Sequence, residues 1–489
     1  MPAIAFDNSY ARLPSRFYAK QDAQKSPSPE LIALNAPLAK HIGLDVDWLH
    51  TRDGVAMLAG NQFPAGAASI AQAYAGHQFG NWVPQLGDGR ALMVGEVIAK
   101  DGQRFDIQLK GSGRTPFSRG GDGRAALGPA IREYLMSEAM HALDVPTTRA
   151  LAVLSTGETV IREAPLAGGI VVRVASSHIR VGTFQYFYAR EDVEALQLLV
   201  DHAVGRHYPD RAGQGAKGLL EGVIERQAKL IARWLTIGFI HGVMNTDNMT
   251  ISGETIDYGP CAFLDDYDPG KVFSSIDQFG RYAFASQPGI GQWNLSNFAQ
   301  TLLPLLDDDH EKAVEIAKEA LDAYAPIFTE AYETGMRAKL GLANQESGDA
   351  ALAQDLLRTM AAQRADYTRT FRALSNLEVE ETSADETFLR EFDEPASVAM
   401  WLIAWRQRLA QENAEDDARQ ASMKSINPMI IPRNHQVEAV IAAGYVGDFK
   451  PLNALNTALK EPFADRPSDD SFALAPQPDE VVKATFCGT

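Results

Sequence analysis

The apolar periodicity of this chain changes once, and that change restricts the folds open to it. Up to about residue 190, short β-like runs alternate with glycine-rich stretches; beyond it, apolar residues recur at helical spacing. ALMVGEVIA at 91–99 and FDIQL at 105–109 read as two strands joined by the turn signal Asp101-Gly102. A helix follows, punctuated by Gly128 and Pro129, with Ile131, Leu135, Ala139 and Ala142 on one face. ALAVLS at 150–155 and GIVVRVA at 169–175 add two strands, so the first part is an antiparallel sheet with one helix packed on it. The second part opens with a long helix over 218–240, lined by Leu220, Ile224, Ile231, Leu235 and Phe239. It runs into HGVMNTDNM, then a short hairpin turning at Ser252-Gly253, then Asp257-Tyr258-Gly259. Residues 290–460 are mostly amphipathic helix, with acidic stretches near 378–394 and 412–417 that read as solvated faces or loops. The expected class is α+β, with a β-rich lobe over 1–170 and a helical lobe over 171–489.

Bulk chemistry narrows the partners. The 489 residues carry 45 basic and 63 acidic side chains, a net charge of −18. So acidic a chain is a poor ligand for nucleic acid or an anionic membrane, both of which demand positive charge. Any phosphate site must therefore gather its basic residues locally. Two cysteines, Cys261 and Cys487, make neither a disulfide framework nor a structural zinc site, and there is no HExxH. The first residues hold no apolar signal core, and no apolar run is long enough to span a bilayer. The expectation is a soluble, cytoplasmic monomer.

Four constellations carry possible chemistry. Lys110 ends a strand and Glu133 lies on the following helix, an arrangement by which a lysine can be held on phosphates; a surface lysine and an unrelated glutamate fit equally well. GSGRTPFSRGGDGRA at 111–125 offers glycines for close backbone approach to phosphate oxygens and arginines for charge. It is no Walker A loop, for no G-K-[ST] follows, and Pro116 breaks a dinucleotide fingerprint. Gly87-Asp88-Gly89-Arg90 is a second glycine pair of the same kind. His241-Gly242-Val243-Met244-Asn245-Thr246-Asp247-Asn248 resembles the kinase loop H-x-D-x-x-x-x-N, with Asn248 and Asp257 at the metal-binding positions. Valine at 243 cannot accept a proton, so either the chain is catalytically dead or its chemistry differs; Asp247 is the candidate replacement base. Finally, RVASSHIR places Arg173 and Arg180 at the junction of the two parts, to clamp a polyphosphate or to form structural salt bridges. No GxSxG is present.

Together these segments resemble the selenoprotein O family, called YdiU-like in bacteria. The match runs through YAGHQFGNWVPQLGDGRA (74–91), QLKGSGRTPFSRGGDGRA (108–125), IREYLMSEAM (131–140), RVASSHIRVGTFQ (173–185), HGVMNTDNM (241–249) and IDYGPCAFLDDYDPG (256–270). The resemblance implies a bilobal pseudokinase fold that binds ATP inverted and transfers AMP to Ser, Thr or Tyr hydroxyls of proteins, with Mg²⁺ or Mn²⁺ and with UTP as a second possible donor. It implies nucleotide contacts at Gly87, Gly89, Arg90, Lys110, Asp122, Gly123, Arg173, Arg180 and Asp257, with Glu133 positioning Lys110. It implies Asn248 and Asp257 as metal ligands and Asp247 as general base. Members end in a cysteine or selenocysteine, here Cys487, which in some pairs with a second cysteine as a redox switch; Cys261 is the only cysteine near that segment in this chain. A conventional kinase and a non-catalytic ATP-binding regulator are the competing readings.

Overall fold

The computed structural model describes residues 4–412 and 415–486. Its first part is an antiparallel sheet in which β1 (Tyr18–Lys20), β2 (Glu30–Leu34) and β3 (Ile70–Gln72) lie toward the edges. A small separate hairpin, β4 (Gly76–Gln78) and β5 (Asn81–Val83), follows. The centre is built from β6 (Ala91–Ile98), β7 (Arg104–Lys110), β9 (Arg149–Ile161) and β10 (Pro165–Ala175), with the two-residue β8 (Ala125–Ala126) pairing β10. The order across the sheet is β1-β3-β6-β7-β10-β9-β2.

The expected hairpin forms, with Leu92 opposite Leu109. Gly102 takes φ +83°, and Asp101 Oδ1 accepts from the Gln103 amide at 2.9 Å. The helix Leu127–Ala142 packs on this sheet with Ile131 and Leu135 fully buried. β10 runs unbroken through residue 170, so the chain leaves the sheet at Ala175, past the boundary expected from sequence, and Arg173 is a sheet residue.

The long helix spans Gly215–Thr236 and stops short of 240 because Gly238 adopts φ +76°. Phe239–Ile240 then form β11, pairing antiparallel with β12 (Ala262–Phe263) and framing the polar loop. The hairpin expected around Ser252-Gly253 is a turn whose arms pair elsewhere: Thr250 bridges to Arg180 and Thr255 to Thr147. The turn is closed instead by the Thr250 hydroxyl, which donates to the Glu254 carbonyl at 2.6 Å and accepts from its amide at 3.0 Å. Helices from Gln287–Leu306 to Lys450–Ala458 complete the second part. Most carboxylates of the acidic stretches are exposed, as expected, but a few are held in ion pairs. Asp385 pairs with Arg406 at 2.8 Å and Glu391 with Arg369 at 2.7 Å, while the nearly buried Glu412 pairs with Arg408 at 2.9 Å. Arginines from neighbouring helices neutralise these three carboxylates.

A buried ionic staple fixes the sheet against the helix Val193–His207. From that helix Arg206 donates to Glu96 on β6 at 3.0 Å and to Asp106 on β7 at 2.6 Å. Asp106 in turn accepts from the His178 ring and amide, each at 3.0 Å, and so anchors the segment leading from Arg173 to Arg180. Breaking a buried pair strands a charge, which costs about 3–5 kcal/mol. Arg206→Met is therefore expected to lower unfolding free energy by about that amount in urea titration, with no change in the denaturant slope.

Candidate active site

A cavity of about 700 Å³ lies between the sheet and the polar loop. Of the residues singled out from sequence, all but Glu133 line it. Three elements supply its floor: the end of β7 brings Lys110, β10 brings Arg173, and the segment after β10 brings Arg180.

These three cations converge on Asp257. Lys110 Nζ lies 3.1 Å from Asp257 Oδ1, Arg173 Nη2 donates to the same oxygen, and Arg180 Nη1 stands 3.5 Å from Oδ2. Asp257 adopts φ +62°, a left-handed conformation uncommon for a residue with a side chain. Burial pushes its carboxyl up, but Arg173, Lys110 and Arg180 outweigh that and hold it well below the ordinary carboxylate range. Behind it, Glu133 accepts from Lys110 at 2.7 Å and from Arg173 Nε, so it orients both cations without reaching the cavity. Burial raises the Glu133 carboxyl and Arg173 and Lys110 more than reverse it, leaving it charged.

The polar loop is braced by His241, whose Nε2 donates to the Ile256 carbonyl at 2.8 Å while Nδ1 accepts from the Val243 amide at 3.3 Å. That pairing defines a neutral imidazole, and burial lowers its pKa further. Val243 is buried and borders the cavity. Asp247 is buried too. Gln78 Nε2 donates to its Oδ2 at 3.2 Å, while its Oδ1 is buried with no partner among the described residues. Burial raises its pKa to about 6, against the opposing pull of Gln78 and Arg180. Arg180 reaches the same residue from behind, donating to the Asp247 carbonyl at 3.0 Å.

The glycine loop folds over the Gly87–Arg90 turn. Thr115 Oγ1 donates to the Asp88 carbonyl at 2.7 Å, and Ser118 Oγ donates to the Gly89 carbonyl. Gly87 has φ +73°, and a Cβ there would lie 2.3 Å from the Phe117 ring. At Gly123, φ +70°, a Cβ would meet Gly113 backbone at 2.2 Å. Asp122 sits at the mouth with both oxygens engaged by Arg162, at 2.8 and 3.2 Å.

The donor set suits a hard divalent cation. Asn248 uses its amide nitrogen on the Val243 carbonyl at 3.0 Å, leaving the amide oxygen available, and Asp257 Oδ2 has only the 3.5 Å Arg180 contact. One amide oxygen and one carboxylate suffice when phosphates and water complete the shell. No group of three or more His, Cys, Asp or Glu side chains placed to hold a metal ion occurs among the described residues.

Sequence reasoning missed Gln78, Tyr74 and Arg162. Gln78 donates to Asp247, Tyr74 carries the Arg180 guanidinium 4.4 Å from its ring centre, and Arg162 holds Asp122. All three are single residues without a spacing pattern; only their positions inside or beside the glycine-bearing segments hinted at a role. Cys261 is fully buried. Cys487, its expected partner, lies outside the described residues, although Thr485 reaches the neighbouring backbone, its hydroxyl donating to the Pro260 carbonyl at 2.6 Å.

Fold and cavity define an α+β protein built to hold a highly charged anion beside a buried carboxylate. The chain belongs to the SelO family: the family model described as Protein adenylyltransferase SelO matches residues 1–460. It is an enzyme of the nucleotidyltransferase class. It is 57% identical over 487 residues to the protein nucleotidyltransferase YdiU of Rhodopseudomonas palustris (strain BisB5), covering 99% of both chains. The YdiU proteins of Jannaschia sp. (strain CCS1) and Rhizobium meliloti (strain 1021) are each 55% identical to it, across 100% of this chain and 99% and 100% of theirs. No helix among the described residues is long and apolar enough to cross a membrane.

A left-handed backbone forced on alanine costs roughly 1–2 kcal/mol, about tenfold in affinity. Gly87→Ala, which also drives a methyl into Phe117, is expected to weaken inorganic pyrophosphate binding by at least that factor in calorimetric titration.

Proposed function

We propose that this chain transfers AMP from ATP to Ser, Thr or Tyr hydroxyls of proteins, releasing pyrophosphate, from a kinase-like bilobal fold in which ATP lies inverted. The observation that carries the reading is Asp247: a buried carboxylate with one unpartnered oxygen, in the same cavity as the Lys110–Arg173–Arg180 cluster, while the kinase base position holds Val243.

In this reading the phosphate chain enters among Lys110, Arg173, Arg180 and Arg90, with backbone amides of the Gly87–Gly89 turn close to its oxygens. The inverted arrangement turns the α-phosphorus toward the acceptor. The hydroxyl gives its proton to Asp247 Oδ1 as its oxygen attacks, the bond from the α-phosphorus to the bridging oxygen breaks, and pyrophosphate leaves with the electron pair. The cations stabilise charge as it develops on the leaving group, the largest contribution in reactions of this type. Asn248 and Asp257 would hold Mg²⁺ or Mn²⁺, which supplies Lewis-acid neutralisation of phosphate charge when bound. Glu133 keeps Lys110 and Arg173 aimed at the cavity floor.

Incubation with α-labelled and γ-labelled ATP separates the readings. Label retained on protein from the α position alone is expected; label from the γ position alone makes the enzyme a kinase, and neither label with intact ATP binding makes it a regulator. Asp247→Asn is expected to cut kcat by about 10²–10⁴-fold, the usual worth of a positioned base, with ATP affinity retained. Asp257→Ala is expected to abolish the response of transfer to added Mg²⁺ or Mn²⁺; full metal-dependent activity in that variant overturns the ligand assignment.

A further inference from the structure

A protein acceptor must reach Asp247 through the cavity mouth, and what borders that mouth is unusual for a chain this acidic. Ile276 lines the cavity and is 58% exposed; three residues on, Phe279 is 96% exposed. Trp82, 40% exposed, stands on the facing β4–β5 hairpin. The hairpin is seated on the catalytic loop, with the His77 amide donating to Thr246 Oγ1 at 2.7 Å and the Phe79 amide to Asn245 Oδ1 at 3.0 Å. Arg281 joins the two sides. Its guanidinium lies 4.7 Å from the Trp293 ring centre and 3.5 Å from where a Cβ would stand on Gly80, at the hairpin turn. Arg281 has no carboxylate partner among the described residues, and its Nε and Nη2 have no hydrogen-bond partner there. Exposed apolar groups on segments that border the cavity or adjoin its lining, beside a guanidinium with no ion-pair partner among the described residues, have the character of a recognition surface.

We propose that Ile276, Phe279, Trp82 and Arg281 form the docking surface for the acceptor. Its occupant is an extended protein segment that carries an apolar side chain and a carboxylate within a few residues of the modified hydroxyl. The apolar side chain covers Phe279 and Trp82, and the carboxylate pairs with Arg281. The proposal rests on the protein-modifying reading above, and its charge logic is complementary: a segment with acidic character approaches a cleft lined by Arg90, Lys110, Arg173 and Arg180.

The test uses the full chain and synthetic peptides with one central Ser, Thr or Tyr in a Gly/Ala background, with Leu and Glu walked through the flanking positions. Transfer is followed with both α- and γ-labelled ATP. Wild-type kcat/KM is expected to rise tenfold or more for the best Leu/Glu peptide over the plain one. In Phe279→Ser/Trp82→Ser the Leu advantage should shrink to within about twofold, and in Arg281→Gln the Glu advantage should do the same, with KM for ATP unmoved in both. Equal kcat/KM for all peptides, or preferences that survive the substitutions, overturn the docking surface. Preferences that follow the γ label and vanish in the variants sustain the surface and overturn AMP transfer instead, so the two failures are distinguishable.

Discussion

The site depends on a buried carboxylate shared by three cations. Lys110, Arg173 and Arg180 come from three places in the first part of the chain, and Asp257 is the second part's answer to all of them. Together with Glu133, three positive side chains face two negative ones, so the cluster holds its shape but keeps one positive charge in excess. Burial alone would neutralise Asp257; the cations keep it charged, and it keeps them from repelling one another. Isolated, such a cluster is a weak source of stability, since desolvation consumes much of the attraction. Its value is position. An incoming polyphosphate meets cations already desolvated and aimed, so little reorganisation is left for the moment of reaction.

That arrangement explains why the scaffold invests in a second ionic network out of reach of the cavity. Arg206, Glu96, Asp106 and His178 clamp the sheet to the helix Val193–His207 and fix the path of residues 176–180. Arg180 can touch both Asp257 and the Asp247 carbonyl only because that path is rigid. The anion-binding floor and the base are thus coupled through one guanidinium. A shift of Arg180 would disturb charge neutralisation and proton acceptance together.

The elements with strong local signals were legible in the sequence. The β6–β7 hairpin follows from alternation and Asp101-Gly102, and the long helix from its apolar stripe. The end of that helix was misplaced because Phe239 continues the stripe while Gly238 has already turned the backbone; periodicity registers side chains, not φ. The turn at Ser252-Gly253 was visible, but its arms pair with Arg180 and Thr147, and partners so distant in sequence leave no local trace. The acidic stretches are largely solvated as their composition implies, but the pairing of Asp385 and Glu391 was hidden, since a charge run does not reveal the arginine packed against it from another helix. In the site, motif residues were recoverable because their chemistry is tied to spacing. Gln78 and Arg162 were not, because a residue that orients another acts through three-dimensional proximity alone.

Val243 and Asp247 play different parts in one polar loop. A base at the kinase position would stand beside the imidazole-braced loop backbone; Val243 there instead donates its amide to His241 and lends its carbonyl to Asn248. The position has become scaffold. The β4–β5 hairpin approaches the Asp247 carboxylate closely enough for a Cβ on Gly76 to lie 2.6 Å from its Oδ1. No larger residue fits at Gly76 without displacing the base. The small separate β4–β5 hairpin thereby shapes the surroundings of Asp247, while a turn of the second part, bearing Ile276, lines the same cavity. Residues from both parts of the chain consequently line one cavity, and neither part alone encloses it.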